Sequence, residues 1–403
     1  QFAKVTPAYL ASLPKGDSRG PEPQVIQPFV TMDYGSMLIT TIQFGDSDNI
    51  AQKAIAIRLD EGPGGISRGQ AWMVFEHDTM RMAAAWTDEF VDWNGIQFNG
   101  RHGVHLRASG RIRAAVPTGP GWADPKSGSF EDTQRVMGRD GRRYGPLPNS
   151  WAKFRGLHRY EDQVILDYTV GGTEILERPG VVLSADAPVF ARTLNVGPRK
   201  TLLRMIVSAV PEDAKLESRE DGVQIIRTGN QIFSAAVRGM GGHGSFEVMD
   251  GKLVLQIDAG EPQLRGNIVF SDSLISNEQL QTIDQALGRW QQDLTELVNG
   301  GPAQYATSVE VPSRTWFESD AWAVDELVRP EGNPWSARTR VTGLDFYPSG
   351  DAMAVCTWDG DVWRVDGLKT IGKSGSVLRW RRIASGLFQP LGILVEDDRV
   401  MVT

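Results

Sequence analysis

Cysteine is almost absent from this 403-residue chain, since Cys356 is the only one. A single cysteine excludes an internal disulfide, a metal site built on a Cys-x-x-Cys pair and the Cys-x-x-Cys-His sequence that attaches a c-type haem. We therefore expect no cofactor and no covalent haem within these residues.

The chain also lacks an excess of basic residues and any long apolar run. It has 42 Lys and Arg residues against 50 Asp and Glu residues, for a net charge of -8, and the basic residues are scattered. A surface that binds nucleic acid needs clustered basic residues, and a transmembrane helix needs ~20 apolar residues in a row. We therefore predict a soluble chain with no nucleic-acid partner and no transmembrane segment.

The first residues bear on localisation. The chain begins at Gln1, without an initiator methionine, and shows no charged-then-apolar signal peptide. This start fits a mature chain whose signal peptide has been removed, although a trimmed recombinant chain would start in the same way. The exported interpretation predicts a periplasmic or cell-surface protein.

Turn-forming residues are abundant, with 44 glycines and 22 prolines. Between them stand short apolar runs such as "MLITTIQF", "AWMVFEH" and "QVILDYTV", and many runs alternate with the two-residue period of half-buried strands. The predicted fold class is therefore mainly β. We predict an N-terminal arm at 1–24, followed by an antiparallel β-sandwich domain over 25–275.

Two segments interrupt the strand pattern. Residues 95–151 contain many turn formers and few strands, which predicts a long ordered loop with a functional or bracing role. Apolar residues at three- and four-residue spacings predict a linking helix over 276–302, with Ser276 as its N-cap and Gly300-Gly301 as its stop. Its apolar side is most simply a core-packing surface, and a partner-binding surface is the alternative.

Residues 303–403 predict the start of a β-propeller. The stretch "GLDFYPSGDAMAVCTWDGDVWRV", from Gly343 to Val365, indicates three short strands joined by tight turns, and "SVLRWRRIA" supplies a fourth. A weaker copy of the pattern starts at Gly392, at a spacing typical of propeller blades. Because a closed ring needs about four to eight blades, we expect the propeller to be incomplete in this chain. A self-contained small sheet is the alternative.

Several motifs together resemble those of one protein family, among them "NPWSARTRVTGLDFYPSGDAMAVCTWDGDVWRVDGL", "ASGLFQPLGILV" and "VDWNGIQFNGRHGVH". From about Phe29 to Thr403 the chain resembles large exported bacterial proteins in which an uncharacterised domain precedes a propeller similar to glucose and sorbosone dehydrogenases. A C-terminal c-type cytochrome domain often follows in that family. The resemblance implies an electron-transfer setting, with haem c in a segment outside this chain or in a partner.

Three histidines are the weak candidates for catalysis. His102 and His105 lie in "NGRHGVH", and His77 lies between Glu76 and Asp78. Residues three apart in an extended segment point to opposite faces, so a shared metal ion would need a loop there, and we predict no metal site. His77 is either a buried base or a hydrogen-bonded structural residue at a strand end.

Tryptophans in or beside the predicted loop indicate a ligand-binding surface. Flat aromatic faces near amides and guanidinium groups suit sugar rings, and they suit domain interfaces equally well. Core burial is a third possibility for each tryptophan. The candidate ligand-binding residues are Trp93, Asn94, Asn99, Arg101 and Trp122.

Acidic pairs and a glycine-rich stretch are considered as sites for glycoside hydrolysis and phosphate binding. Glu131 with Asp132, and Asp167 with Glu174, are candidate carboxylate pairs for glycoside hydrolysis, although such pairs occur in any acidic protein. The stretch "DEGPGGISRG" lacks the spacings of a phosphate-binding loop and predicts a turn.

The sequence leads to two hypotheses for the function. The first is the N-terminal part of an exported propeller-cytochrome protein, accessory to the oxidation of carbohydrate or alcohol substrates and to electron transfer. The second is a non-catalytic carbohydrate-binding or cell-surface scaffold protein. The partners to expect are the remainder of the propeller or a second polypeptide, a cytochrome domain, and a glycan.

Overall fold

The chain folds mainly as β-sheet, which confirms the predicted class. Strands account for 48% of the computed structural model and helices for 6%, and one sheet curls into a half-barrel. The predicted N-terminal arm lies outside the described residues. The structure describes residues 28–45, 48–93, 105–184, 187–290, 293–316 and 324–403.

Seven strands form the first sheet, in the spatial order β5-β6-β1-β2-β3-β4-β7. Strands in its centre bury both faces, as in "AWMVFE", in which every residue is buried. Numbered in chain order, the strands are β1 Met37–Gln43, β2 Ile50–Arg58, β3 Ala71–Glu76, β4 Arg81–Thr87, β5 Val91–Asp92, β6 Leu106–Ala108 and β7 Arg111–Ala115.

One pairing in the first sheet departs from the predicted antiparallel arrangement. β1 pairs with β6 in parallel, with Ile42 opposite Leu106 and Gln43 opposite Arg107. A parallel pair needs a long connection between its two strands, and here that connection includes β2 to β5. The prediction was wrong at this pair because the distant partner of a three-residue strand leaves no trace in local periodicity.

The predicted loop at 95–151 contains a few short strands. β6 and β7 belong to the first sheet, and a separate hairpin pairs β8, Val136–Met137, with β9, Arg143–Tyr144. The sequences of β6 and β7 are short and rich in arginine, so apolar alternation does not mark them. Arg113 of β7 donates hydrogen bonds to Thr87 Oγ1 and to the Asp272 carboxylate, so polar contacts hold this edge strand.

The second sheet has eight antiparallel strands in the order β10-β11-β12-β13-β20-β17-β16-β15, and the third sheet has the order β14-β19-β18. A two-residue turn, Glu161-Asp162, joins β10 to β11, and Glu161 has the positive φ of 54° that such tight turns favour. The strands are β10 Ala152–Tyr160, β11 Gln163–Val170, β12 Thr173–Val182, β13 Val189–Val196, β14 Leu203–Ala209, β15 Lys215–Ser218, β16 Gln224–Thr228, β17 Gln231–Arg238, β18 Gly244–Met249, β19 Lys252–Ile257 and β20 Leu264–Ser271.

Helices are few and short in the described part of the chain. They are α1 Pro28–Thr31, α2 Asn277–Trp290 and α3 Leu294–Leu297. Ser276 caps α2 as predicted, because its Oγ accepts from Gln279 N at 3.1 Å while Gln279 Oε1 accepts from Ser276 N. Leu280 and Ile283 are buried against the second sheet, which confirms core packing for this part of the helix. None of these helices is long and apolar enough to span a membrane.

The C-terminal sheet has five strands in the order β21-β27-β26-β25-β24. The three strands predicted between Gly343 and Val365 are present as β24 to β26. Two further hairpins, β22-β23 and β28-β29, stand beside it. The strands are β21 Ser308–Pro312, β22 Arg314–Trp316, β23 Val324–Glu326, β24 Val341–Phe346, β25 Ala352–Thr357, β26 Val362–Asp366, β27 Val377–Ala384, β28 Ile393–Glu396 and β29 Arg399–Val402.

The first sheet contributes to two separate hydrophobic cores. Residues such as Ile55 and Phe75 share one core with the second and third sheets. Their neighbours on the opposite face, such as Trp72 and Val74, share another core with the C-terminal sheet, which supplies Trp363 among others. Residues from both sides of the predicted boundary at 303 therefore form one continuous core.

A buried ion pair lies within the second sheet. Arg192 of β13 donates to both oxygens of Glu177 on β12, and both side chains are almost fully buried. Tyr168 Oη donates to the same carboxylate at 2.6 Å. Removal of one partner from such a pair leaves an uncompensated charge in the core.

We predict that Glu177→Gln lowers the free energy of unfolding by about 3 kcal/mol, because Arg192 keeps its charge and loses its counter-ion. Urea unfolding followed by tryptophan fluorescence measures the change. Glu212→Gln, an exposed change of the same chemistry, is the matched control and should shift stability by less than about 0.5 kcal/mol. Equal stability of the two variants would contradict the assignment.

Candidate functional site: a cleft at the junction of three sheets

Backbone hydrogen bonds join the start of the first sheet to the C-terminal sheet. Asp33 N donates to Trp335 O at 2.9 Å, and Ile39 N donates to Gly386 O at 2.7 Å. The segment around Tyr34 thus lies directly on the C-terminal sheet. Gly386 is required at this contact, because an added Cβ would lie 2.2 Å from Met37 O.

The second sheet reaches the same point through Arg159 at the end of β10. A Cβ on Gly35 would lie 2.7 Å from Tyr305 Oη and 2.9 Å from both Arg159 Nη2 and Ser385 Oγ. Ser385 Oγ also donates to Tyr34 O at 2.7 Å. Three sheets therefore meet at a glycine that leaves room for polar side chains.

A cleft of about 1160 Å³ opens beside this junction, and we call it the junction cleft. Its walls come from the 58–65 segment, the Glu161-Asp162 turn, the middle of β12, and the Tyr305 and Trp335 regions. The lining residues used below are Asp33, Asp60, Glu161, Arg178, Tyr305 and Trp335. Carboxylates, guanidinium groups and aromatic rings thus face one space.

One wall of the cleft is a glycine-rich loop that Arg58 holds in shape. The Arg58 side chain is only 6% exposed and forms an ion pair with Asp60 at 2.9 Å. Its Nη1 donates to the carbonyl oxygens of Gly62, Pro63 and Gly65 at 2.8 to 3.2 Å. The predicted turn is therefore a rigid loop whose carbonyl groups converge on one cation.

The loop also approaches Asp33 closely. Gly65 has a φ of 67°, and a Cβ there would lie 2.2 Å from Asp33 Oδ1. Asp33 Oδ1 accepts from Gly35 N at 2.7 Å, which fixes the carboxylate at the base of the cleft. Asp33 is half-buried, so part of its carboxylate remains accessible to a ligand.

Arg178 lies on the opposite wall and is 7% exposed. It donates to Gln163 Oε1 at 2.7 Å, and burial lowers the pKa of its guanidinium to about 10. At neutral pH this group remains charged, so the wall presents a positive charge to the cleft.

Buried charges lie behind the cleft in the C-terminal sheet. Arg382 donates to Asp361, and both side chains are fully buried. Burial raises the pKa of Asp361 to about 6, against the opposing effect of Arg382, and nearby Asp359 adds to the rise. Asp359 itself accepts two hydrogen bonds from Arg340, at 2.6 and 2.8 Å.

Aromatic rings connect this charged cluster to the cleft. The Arg382 guanidinium lies 4.8 Å from the ring centre of Tyr305 and 5.6 Å from that of Trp335. Trp335 packs edge to face on Tyr305 and on Trp363. Cation-π and edge contacts therefore fix the orientation of the two rings that line the cleft.

Of the predicted ligand-binding residues, the two that the structure describes, Trp93 and Trp122, do not line this cleft. Asn94, Asn99 and Arg101 lie outside the described residues. Trp122 is fully buried, and its carbonyl oxygen accepts from Trp151 Nε1, which matches the core-burial alternative.

Trp93 is half-buried and stacks on Tyr34 with ring centres 5.7 Å apart. It also contacts the rings of Phe29 and Phe90. These packing contacts are those of an aromatic residue at an internal interface, which was one of the alternatives for this tryptophan.

Neither of the described histidine candidates, His77 and His105, lines the cleft. His102 lies outside the described residues. His105 lies near Arg142, and burial followed by that positive charge lowers the pKa of His105. His77 stacks on Phe154 and contacts Asp78, while burial lowers its pKa, so its surroundings match the structural interpretation.

The acidic pairs proposed for hydrolysis are engaged in ion pairs. Arg155 bridges Asp167 and Glu174 on the surface of the second sheet. Asp132 pairs with Arg135 at 2.6 Å. In the described part of the chain, no group of three or more His, Cys, Asp or Glu side chains is arranged to hold a metal ion.

Sequence reasoning missed the residues of the junction cleft. The glycine-rich stretch was identified as a turn, but its relation to Arg58, two residues before it, was not. Asp33, Glu161 and Trp335 are far apart in the chain, and no spacing rule connects them. The sequence did contain one signal for this loop, namely an arginine close to an aspartate and to several glycines.

Part of the chain matches a known family model. Residues 73–177 match the model of a family described as a domain of unknown function, DUF6797. The matched segment runs from β3 into β12 and includes the Glu161-Asp162 turn of the cleft, but neither Asp33 nor Trp335. A search of curated proteins found no match to this chain.

We predict that Arg58→Gln makes the 60–69 loop a faster target for trypsin, because three loop carbonyl groups lose their shared donor. Cleavage after Arg68, which is exposed, is followed by mass spectrometry under native conditions. Arg379→Gln, which changes an exposed arginine paired with Glu310, is the control. Identical cleavage rates at Arg68 in the wild type and both variants would show that Arg58 does not hold the loop.

Proposed function

We propose that the junction cleft binds a carbohydrate and that this chain serves as a binding part rather than as the catalytic part of its assembly. The proposal rests on one observation. Carboxylates and aromatic rings held by contacts within the protein line the same cleft, which has a volume of about 1160 Å³. Pockets of roughly 300 to 1,000 Å³ are typical of small-molecule sites, so this cleft has room for more than one sugar ring.

The chemistry of the lining suits hydroxyl groups. An ionised carboxylate has several acceptor positions and no donor, so Asp33 and Glu161 can each accept from sugar hydroxyls. The face of Trp335 offers an apolar surface to the C–H side of a sugar ring. Because Gly35 N holds Asp33 and ring contacts hold Trp335, a ligand loses less free energy in ordering these two groups.

We also propose the finer architecture that the resemblance implies. The first and second sheets form the predicted β-sandwich, and the C-terminal sheet is the first blade of a propeller. The β28-β29 hairpin supports this, because it packs on β24 and β25 as the start of a second blade would. Its outer residues Leu394 and Met401 are 53% and 43% exposed, which further strands would cover.

In this proposal the chain is the N-terminal part of an exported propeller-cytochrome protein that oxidises carbohydrates or alcohols. The cleft would hold the carbohydrate, and haem c would reside in a segment outside this chain or in a partner. The support is the family resemblance of the propeller motifs together with the acidic and aromatic lining of the cleft.

We predict that Asp33→Asn and Trp335→Ala each weaken carbohydrate binding at least tenfold, about 1.4 kcal/mol. Asparagine can still accept from Gly35 N, so Asp33→Asn removes the charge with little change of shape. A glycan array identifies a ligand, and isothermal titration calorimetry then measures its affinity.

Asp398→Asn and Trp358→Ala are the matched controls, since both residues are exposed and neither lines the cleft. Unchanged affinity in both cleft variants, or the absence of any bound glycan, would overturn the proposed function.

The assembly has its own test. Protein isolated from its natural source should have an intact mass above the 44.3 kDa of this chain, or copurify with a second polypeptide, and should show the absorbance of c-type haem. A colourless, folded species of 44.3 kDa with no partner would contradict the propeller-cytochrome proposal and leave carbohydrate binding to stand alone.

A further inference from the structure

Arg159 is half-buried, and its partners differ from those of four buried arginines. Arg58, Arg81, Arg192 and Arg382 each form an ion pair with a carboxylate. Within the described ranges, no carboxylate lies within 4 Å of the Arg159 guanidinium. Its Nη2 donates to a neutral group, Ser36 Oγ, at 3.0 Å.

The surroundings of Arg159 leave donor capacity unused. Its Nε is buried and has no acceptor among the residues that the structure describes. Burial lowers the pKa of Arg159, Tyr305 and the more distant carboxylate of Asp162 oppose that change, and the nearby Arg382 adds a second positive charge. A charge removed from water without a counter-ion is costly, so a cation in this setting favours an anion nearby.

Arg159 also borders a pocket of about 310 Å³ that adjoins the junction cleft. Glu161 and Gln304 line both spaces. The other walls of the smaller pocket include the apolar side chains of Leu157 and Leu387. Among the residues that the structure describes, the pocket therefore combines a cation without an ion pair, an amide and apolar surface in a volume that holds a single small group or ring.

Planar guanidinium groups bind carboxylates through two parallel hydrogen bonds, and such charge-assisted bonds are about twice as strong as neutral ones. Glu161 is exposed, so solvent and salt screen its repulsion of a bound anion. Asp162, whose carboxylate also acts on Arg159, is exposed and screened in the same way, and Asp60 is already paired with Arg58.

We infer that the pocket beside Arg159 binds the carboxylate of an acidic sugar, so that the ligand of the junction cleft contains a uronic acid. This inference rests on the proposed carbohydrate binding and names the class of sugar. Neutral parts of the ligand would lie in the junction cleft, and the acidic ring would lie against Arg159.

Four small probes test the inference on the wild-type protein. They are D-glucuronate, its methyl ester, D-glucose and acetate, with affinities measured by NMR titration. The expected result is that glucuronate binds at least tenfold more tightly than each of the other three. The ester keeps the ring and removes the charge, so it isolates the contribution of the carboxylate.

Arg159→Gln should abolish the preference for glucuronate over its ester. Arg155→Gln, on the same strand but paired on the surface with Asp167 and Glu174, should retain it. Thermal unfolding checks that both variants are folded. If Arg159→Gln does not fold, the comparison of glucuronate with its ester in the wild type decides the question.

The outcomes separate the two proposals. Equal affinity for glucuronate, the ester and glucose would overturn the acidic-sugar inference and leave carbohydrate binding intact. Acetate binding as tightly as glucuronate would also overturn it, because the site would then recognise a free carboxylate. A protein that binds no sugar, neutral or acidic, would overturn the proposed function and the inference together.

Discussion

The contact between residues 33–39 and the C-terminal sheet is the constraint on which the rest of this structure depends. Backbone hydrogen bonds from Asp33 and Ile39 reach residues about 300 to 350 positions later in the chain. Only glycine at 386 permits this approach, because any side chain there would overlap the Met37 carbonyl oxygen. The junction cleft exists because this contact brings both ends of the described chain beside the second sheet.

The same arrangement covers the first sheet on both of its faces. Trp72 and Trp86 lie in the core shared with the C-terminal sheet, while Met73 and Ala85 lie in the core shared with the second sheet. Charged groups that fall inside these layers are paired, as Glu76 is with Arg81. Burial of apolar area on two faces stabilises the sheet, and the ion pairs limit the cost of the polar groups it encloses.

Local patterns in the sequence predicted the β class, the strands of the C-terminal sheet and the Ser276 cap, because each depends on residues a few positions apart. The parallel partner of β1 and the strands within 95–151 were not predictable in this way. Trp122 shows why site residues were hard to predict from the sequence. A tryptophan in a glycine- and proline-rich segment has the same local sequence whether it is buried or exposed. Residues such as Asp33 and Trp335 come together only through the fold.

The two arginines at the cleft show how the same residue type takes different roles. Arg58 donates hydrogen bonds to Asp60 and to three loop carbonyl groups, so its N–H groups are engaged within the protein. Arg159 donates to a serine hydroxyl and retains a buried Nε without an acceptor among the described residues. The first arrangement fixes the shape of a wall. The second leaves a cation with no ion pair in the described part of the chain, and under the proposal a rigid wall beside such a cation selects a ligand by both shape and charge.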